Sequence, residues 1–276
     1  MGSPYGYRHM RSSRPSFTAR QVALIRAGLE RPHLPTGDDE AETRLYQSLS
    51  RRHRWIVAGK ASRQGVVYRT AFFDREVLLA LAAGVRQVGI IGAGYDGRSL
   101  RFAFPGVRYF EIDHPATQQD KVARLARIGA DSGAITFVPI DLITGDLVIA
   151  LGEAGLERSP PALFLVEGLL SYLPRTAVET LFGSLREVAG AGARLAAGFL
   201  MAAARQPAHR RAWGKLYNLG LLTLGEPWMT VFDPGEPERL LADTGWQIAE
   251  ESGSPVSYQG PRALMVRAAP TGPITP

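Results

Sequence analysis

No cysteine occurs among the 276 residues, which excludes disulfides, thiolate metal sites and a cysteine nucleophile. Histidine is scarce as well: five copies are scattered along the chain, and none stands at a spacing that would gather a metal site. The sequence has no apolar run of the roughly eighteen residues that a membrane-crossing helix needs, and its first residues lack the hydrophobic segment of a secretory signal. A soluble, cytoplasmic protein without a bound metal is the expectation. Residues 1–16 hold too little apolar surface to pack by themselves and read as a flexible tail.

What is present is enough for one sizeable core, with 45% hydrophobic residues in a chain of single-domain length. The net charge of +6 is uneven. Residues 1–70 carry 13 lysines and arginines against 5 acids, whereas residues 71–276 carry 19 against 21. A basic N-terminal region is either a solvated face or an attraction for an acidic substrate, a nucleic acid or a membrane surface.

The chain is organised around Gln87 to Pro115. The apolar run Val88 to Ile91 breaks into the glycine turn Gly92 to Gly97, a brief helical segment follows, and a β-rich run ends in Glu111 and Asp113. This is half of a nucleotide-binding βαβ unit. Gly92 and Gly94 allow a ligand to approach the backbone closely. Asp113 stands about twenty residues after the turn, where an acid accepts hydrogen bonds from a ribose, and Glu111 on the same strand face competes for that role.

Upstream, helices are predicted from Thr18 as N-cap through Val22, Ile25 and Leu29, and from Asp39 through Leu45, Leu49, Trp55 and Ile56. Together they make a basic helical cap over residues 17–64. The segment Val66 to Phe73 leads into a helix at Glu76 to Ala83 and carries Arg69 toward the carboxyl end of the first strand. Downstream, strands at 134–140, 162–166, 194–200, 246–250 and 263–267 alternate with helices, and the rhythm predicts an α/β fold with a doubly wound, seven-stranded sheet over residues 65–276. Asp113, Asp141 and Glu167 end three successive strands on one edge. Residues 201–234 interrupt the rhythm with Arg205, Arg210, Arg211 and Lys215 among Trp213, Tyr217 and Trp228, and read as an insertion forming a lid over the site.

The turn Gly92-x-Gly94-x-x-Gly97 also fits the dinucleotide fingerprint, so a nicotinamide cofactor competes with other adenosine ligands. Three features oppose it. Asp96 would place a negative charge beside a pyrophosphate, about ninety residues precede the turn, and Arg69 with Glu167 offers the cation and anion that a zwitterionic amino-acid group needs. S-adenosylmethionine has that group and no phosphate.

Six motifs in order strengthen this choice: Thr18-Ala-Arg-x-Val-Ala-x-x-Arg-Ala27, Arg69-Thr-x-Phe-Phe-Asp74, Gly92-Ala-Gly-x-Asp-x-Arg98, Phe110-Glu-Ile-Asp-x-Pro115, Phe137-Val-Pro-x-Asp-Leu142 and Glu167-Gly-Leu-Leu-x-Tyr-Leu-Pro174. Across most of the chain they resemble the leucine carboxyl methyltransferase group of class I S-adenosylmethionine-dependent methyltransferases, including its bacterial small-molecule branch. The resemblance implies a Rossmann-like sheet. It also implies that Arg69 pairs with the methionine carboxylate, that Gly92 and Gly94 line the cofactor, that Asp113 holds the ribose, that Asp141 and Leu142 flank the adenine, and that Glu167 faces the amino end. The chain departs from the family at Tyr95 and Gly97, where Leu and Thr are usual.

Family members mostly methylate carboxylates, which are ionised near neutral pH and need no general base. Arg20, Arg210, Arg211 and Tyr217 are the candidates to orient an acidic small-molecule substrate, and no catalytic residue is assigned. A phenol or alcohol acceptor in secondary metabolism would instead need a base such as His209 or His53. A tRNA-binding protein on the same scaffold is a weaker reading, because the N-terminal region lacks the interleaved aromatic and basic stripe that stacks RNA bases.

Overall fold

The computed structural model describes residues 14–49, 60–202, 222, 226–249 and 262–272. Its seven strands are β1 (Gln87–Ile91), β2 (Arg108–Asp113), β3 (Ile135–Pro139), β4 (Ala162–Val166), β5 (Arg194–Met201), β6 (Trp246–Ile248) and β7 (Arg262–Pro270). They form one sheet in the order β3-β2-β1-β4-β5-β7-β6. The first five pair in parallel, and β7 runs antiparallel between β5 and β6. The strand order reverses between β1 and β4, and in such sheets ligands bind beyond the carboxyl ends of the strands at that switch point.

Parallel strands covered on both faces read as continuous apolar runs, and β1 and β4 are buried at every position. Gly89 serves the packing inside β1, since a Cβ there would lie 2.9 Å from the Phe164 ring on the neighbouring strand. One face of the sheet is covered by helices α1 (Phe17–Arg26), α2 (Asp39–Ser48), α3 (Lys60–Ala82), α4 (Arg98–Arg101) and α5 (Pro115–Arg127). The other is covered by α6 (Leu147–Glu153), α7 (Arg175–Val188) and α8 (Glu236–Asp243). No described helix is long and apolar enough to cross a membrane.

Two local expectations are corrected. Thr18 does not cap α1. Ser16 does, its hydroxyl accepting from the Ala19 N–H at 3.1 Å, while Thr18 lies in the first turn with its hydroxyl bonded to Glu226. Nor does Val66 to Phe73 merely lead into a helix: it belongs to α3, which is continuous for 23 residues. Val66, Thr70, Phe73, Val77 and Ala80 are all buried, a spacing of three and four that lays one helical face on the sheet. The β-branched pair Val66 and Val67 hid that period in the sequence.

Candidate functional site

At the switch point a cavity of about 410 Å³ opens over the carboxyl ends of β1 and β4. Its floor is the glycine turn, where Gly92 and Gly94 hold φ of +69° and +51°, a region that favours glycine. Its roof is the first turn of α1. The contact is direct, because a Cβ on Gly94 would lie 2.8 Å from that of Ala19.

Behind the turn lies a buried ionic network. Arg98, fully buried, donates to Asp74 (2.7 Å), Asp96 (2.5 Å) and Glu167 (2.6 Å). Arg26 of α1 reaches Glu167 at 2.6 Å and Asp96 at 3.2 Å. Arg31 grips both Asp74 oxygens at 2.8 and 2.9 Å and Glu42 at 2.6 Å, and Arg101 pairs with Glu42 from the other side. Arg69 closes the set through Nε to Glu167 at 2.7 Å. Five guanidiniums thus face four carboxylates, one positive charge in excess. Arg69 lines the cavity with a side chain 23% exposed, against 9% or less for the other four.

The electrostatics follow from this pairing. Burial alone would raise the Glu167 carboxyl, but Arg26, Arg98 and Arg69 overcome it and bring the pKa down to about 2. Asp96 is likewise pushed up by burial and pulled well below the usual carboxylate range by Arg98 and Arg26. Asp113 behaves in the opposite way: burial raises it to about 6, against the N–H groups of Gly94 and His114 that donate to it. Asp113 lines the cavity. Glu111, its rival in the sequence, is fully buried beneath the turn and bonded to Ser99 and Lys121.

The structure therefore gathers Arg69, Gly92, Gly94, Asp113 and Glu167 around one cavity, and Arg20 joins them on its wall. Arg20 is already engaged, its guanidinium 3.3 Å from both Asp120 and the Tyr95 hydroxyl. Glu167 is also engaged, so Arg69 and Glu167 meet as partners and not as a free cation and anion. Asp141 and Leu142 follow Ile140, whose N–H donates to the Asp113 carbonyl at 2.9 Å, yet neither lines this cavity. Asp141 folds back to accept from the Ile143 N–H at 2.9 Å, and Leu142 lines a separate groove between α6 and α7. Arg210, Arg211, Tyr217, His209 and His53, along with most of the 201–234 segment, lie outside the described residues.

The N-terminal cap expected over the site does line the cavity, with Phe17, Ala19, Arg20 and Arg26 on its wall, but the contacts that tie it to the glycine turn were not legible in the sequence. Gly97, a departure from the family pattern, is where Glu42 crosses the turn, since a Cβ there would lie 2.3 Å from Cγ of Glu42. Tyr95, the other departure, is buried and donates to Asp120 beneath Arg20 and Arg124. Asp96 does not stand free over the turn. One oxygen accepts from the Arg98 N–H at 2.9 Å, and the other meets Arg98 and Arg26. A dinucleotide pyrophosphate would need the N-terminus of α4, but α4 has four residues and its start is filled by Asp96 and Glu42. Glu226 and Thr117, both buried on the cavity wall, carried no sequence signal.

Comparison with known proteins places the chain among methyltransferases. The family model described as leucine carboxyl methyltransferase matches residues 21–186. A Streptomyces coelicolor protein assigned by name to the S-adenosyl-L-methionine-dependent methyltransferases, SCO7813, is 37% identical over 232 residues, 83% of this chain and 74% of its own length. A similarly named protein of Mycolicibacterium paratuberculosis is 36% identical over 199 residues, 68% of this chain and 62% of its own length, so the match spans about three fifths of that relative. Among solved structures, one from Thermobifida fusca carrying a methyltransferase assignment superposes with a TM-score of 0.62 at 18% identity, covering 98% of this chain and all of the other. At that identity the likeness concerns the fold.

Proposed function

Since the chain belongs to the leucine carboxyl methyltransferase family of S-adenosylmethionine-dependent enzymes, we propose that it transfers the sulfonium methyl group to the carboxylate of a small, largely apolar acid, forming a methyl ester. The cavity suits the cofactor. Its volume of about 410 Å³ falls within the range of roughly 300–1,000 Å³ usual for small-ligand sites. The excess positive charge at Arg69 complements the methionine carboxylate, and Asp113 complements the ribose hydroxyls. With the Glu167 side chain committed to three guanidiniums, its backbone is the part of that residue that serves the amino end.

The observation that carries the carboxylate reading is the state of the acids and bases on the wall. Among the described residues lining the cavity, Asp96 and Glu167 are saturated by arginines, Asp113 accepts from the Gly94 and His114 N–H groups and is assigned to the ribose, Glu226 accepts from three donors of α1, and the Nδ1 of His114 accepts the Ala116 N–H at 3.3 Å. None is set to take a proton from a hydroxyl. A carboxylate acceptor asks for none, so positioning and exclusion of water supply the catalysis.

Incubation with methyl-labelled S-adenosylmethionine and candidate acids, followed by mild alkali, tests the proposal. Methyl esters release volatile methanol, so the label should leave the product. Label retained after alkali contradicts the carboxylate reading and favours a hydroxyl acceptor. The rate should also be nearly flat from about pH 6 to 9, because acceptor ionisation is complete below that range.

A further inference from the structure

Residues 226–232 lead to the end of β5, and at their start the Glu226 carboxylate on the cavity wall bonds to α1. One oxygen accepts from the Phe17 N–H at 2.6 Å, and the other accepts from the Thr18 N–H at 2.9 Å and the Thr18 hydroxyl at 2.5 Å. These are orphan donors of a helix start, and a carboxylate there is favoured by both hydrogen bonding and the helix dipole. On the opposite side the Ser16 N–H donates to the Thr117 hydroxyl of α5 at 3.0 Å. Glu226 itself is only 7% exposed.

The anchor behind Glu226 is firm. The Met229 N–H donates to the Ser171 carbonyl at 2.7 Å, the Thr230 hydroxyl to the Leu173 carbonyl at 2.6 Å, and Phe232 exchanges backbone bonds with Leu200 and Ala202 at the end of β5. Ser16, Phe17, Thr18 and Ala19 all line the cavity, and Ala19 rests on the glycine turn. We propose that Glu226 is a positioning residue for the cofactor: by fixing the first turn of α1 over the cavity, it sets how tightly and for how long the adenosyl ligand is held. It does so through α1 and not by reacting, and the inference is independent of whether the acceptor is a carboxylate.

The test uses the full chain with Glu226→Ala, Glu226→Gln and Thr18→Val. Dissociation of S-adenosylhomocysteine is followed by stopped-flow displacement, alongside kcat and KM for S-adenosylmethionine. Glu226→Ala leaves buried N–H groups without their charged partner, so the dissociation rate and KM should rise roughly ten- to a hundred-fold, with kcat changed much less. Glu226→Gln keeps an amide oxygen for one N–H and should fall between Ala and the unaltered protein. Thr18→Val removes the hydroxyl's bonds to Glu226 and Ser16 while leaving both N–H contacts to Glu226 in place, and should raise the dissociation rate by a factor of about two to five. If Glu226→Ala fails to fold, the Gln and Val variants carry the same test. A dissociation rate and KM unchanged within twofold in the variants that fold, or a fall in kcat with KM constant, would overturn the proposal.

Discussion

The two faces of the sheet are held by different physics. Against α6, α7 and α8 the buried cluster is apolar, with Phe182, Phe199, Leu185, Leu241 and Trp246 at its centre. Against α1 to α5 the apolar cluster is threaded with buried charge, including Arg26, Glu42, Asp74, Asp96, Arg98, Arg101, Glu111 and Lys121. An apolar face stabilises without specifying ligand chemistry. A buried ion network contributes little net stability, because desolvation offsets most of the attraction, yet it fixes positions and leaves a defined residual charge. The cavity opens over the strand ends beside the ionic network, with Arg26, Arg69, Asp96 and Glu167 on its wall, and the family's cofactor carries charges of its own. In this fold the ionic network backs the site at the carboxyl ends of the strands, and the apolar cluster supports the sheet from its other face.

Substitutions on each face should separate those roles. The largest effect belongs to Arg98→Ala, which strips a partner from three buried carboxylates at once. It should cost about 3–5 kcal/mol of stability, read from denaturant unfolding, and should also weaken S-adenosylhomocysteine binding. Phe182→Ala, in the apolar cluster and stacked on Phe199, should cost a comparable ~3–5 kcal/mol while the folded protein keeps its ligand affinity. Weakened binding in Phe182→Ala, or unchanged binding in Arg98→Ala, would erase the distinction.

Much of this was legible in the sequence, and the parts that were not share a cause. The seven strands and the acids that end β2, β3 and β4 stand out because apolar runs closed by Asp113, Asp141 and Glu167 are local signals. Asp113 in particular was found by its distance from the glycine turn. Of the ionic network only the nearness of Arg69 and Glu167 was legible; the rest was invisible because its members come from residues 26 to 167, and only the fold brings Arg26, Asp74, Arg98 and Glu167 within hydrogen-bonding distance. The same holds for Glu226, some 208 residues from its partner Thr18. Asp141 differs: the motif match implied a place beside the ligand, and in the structure one of its carboxylate oxygens accepts from the Ile143 N–H in its own turn.

Smaller effects sharpen the contrast between paired and unpaired acids. Asp113→Ala should weaken S-adenosylhomocysteine by about 1–3 kcal/mol, the usual cost of losing hydrogen bonds to a charged group. Because Asp113 has a pKa raised to about 6 and the ribose hydroxyls favour its ionised form, affinity should be full above about pH 7 and decline as the pH falls through 6. Calorimetry across pH 5 to 8 checks this, and the decline should vanish in Asp113→Ala. Glu167 has the opposite shift, from 4.5 down to about 2. Its contribution to stability is present above pH 4.5 and is lost as the pH falls through 2. Acid unfolding followed by circular dichroism should show that loss, and Glu167→Gln should flatten it.

The most direct test concerns the spare positive charge at Arg69. Calorimetry would compare the unaltered protein with Arg69→Leu, titrating each with S-adenosylhomocysteine and with its decarboxylated analogue, which keeps the adenosine, thioether and amine. If the excess charge is there for the methionine carboxylate, Arg69→Leu should weaken S-adenosylhomocysteine roughly ten- to a hundred-fold, as expected for a charge-assisted hydrogen bond, and change the analogue little. Equal losses for both ligands, or none for either, would contradict the account.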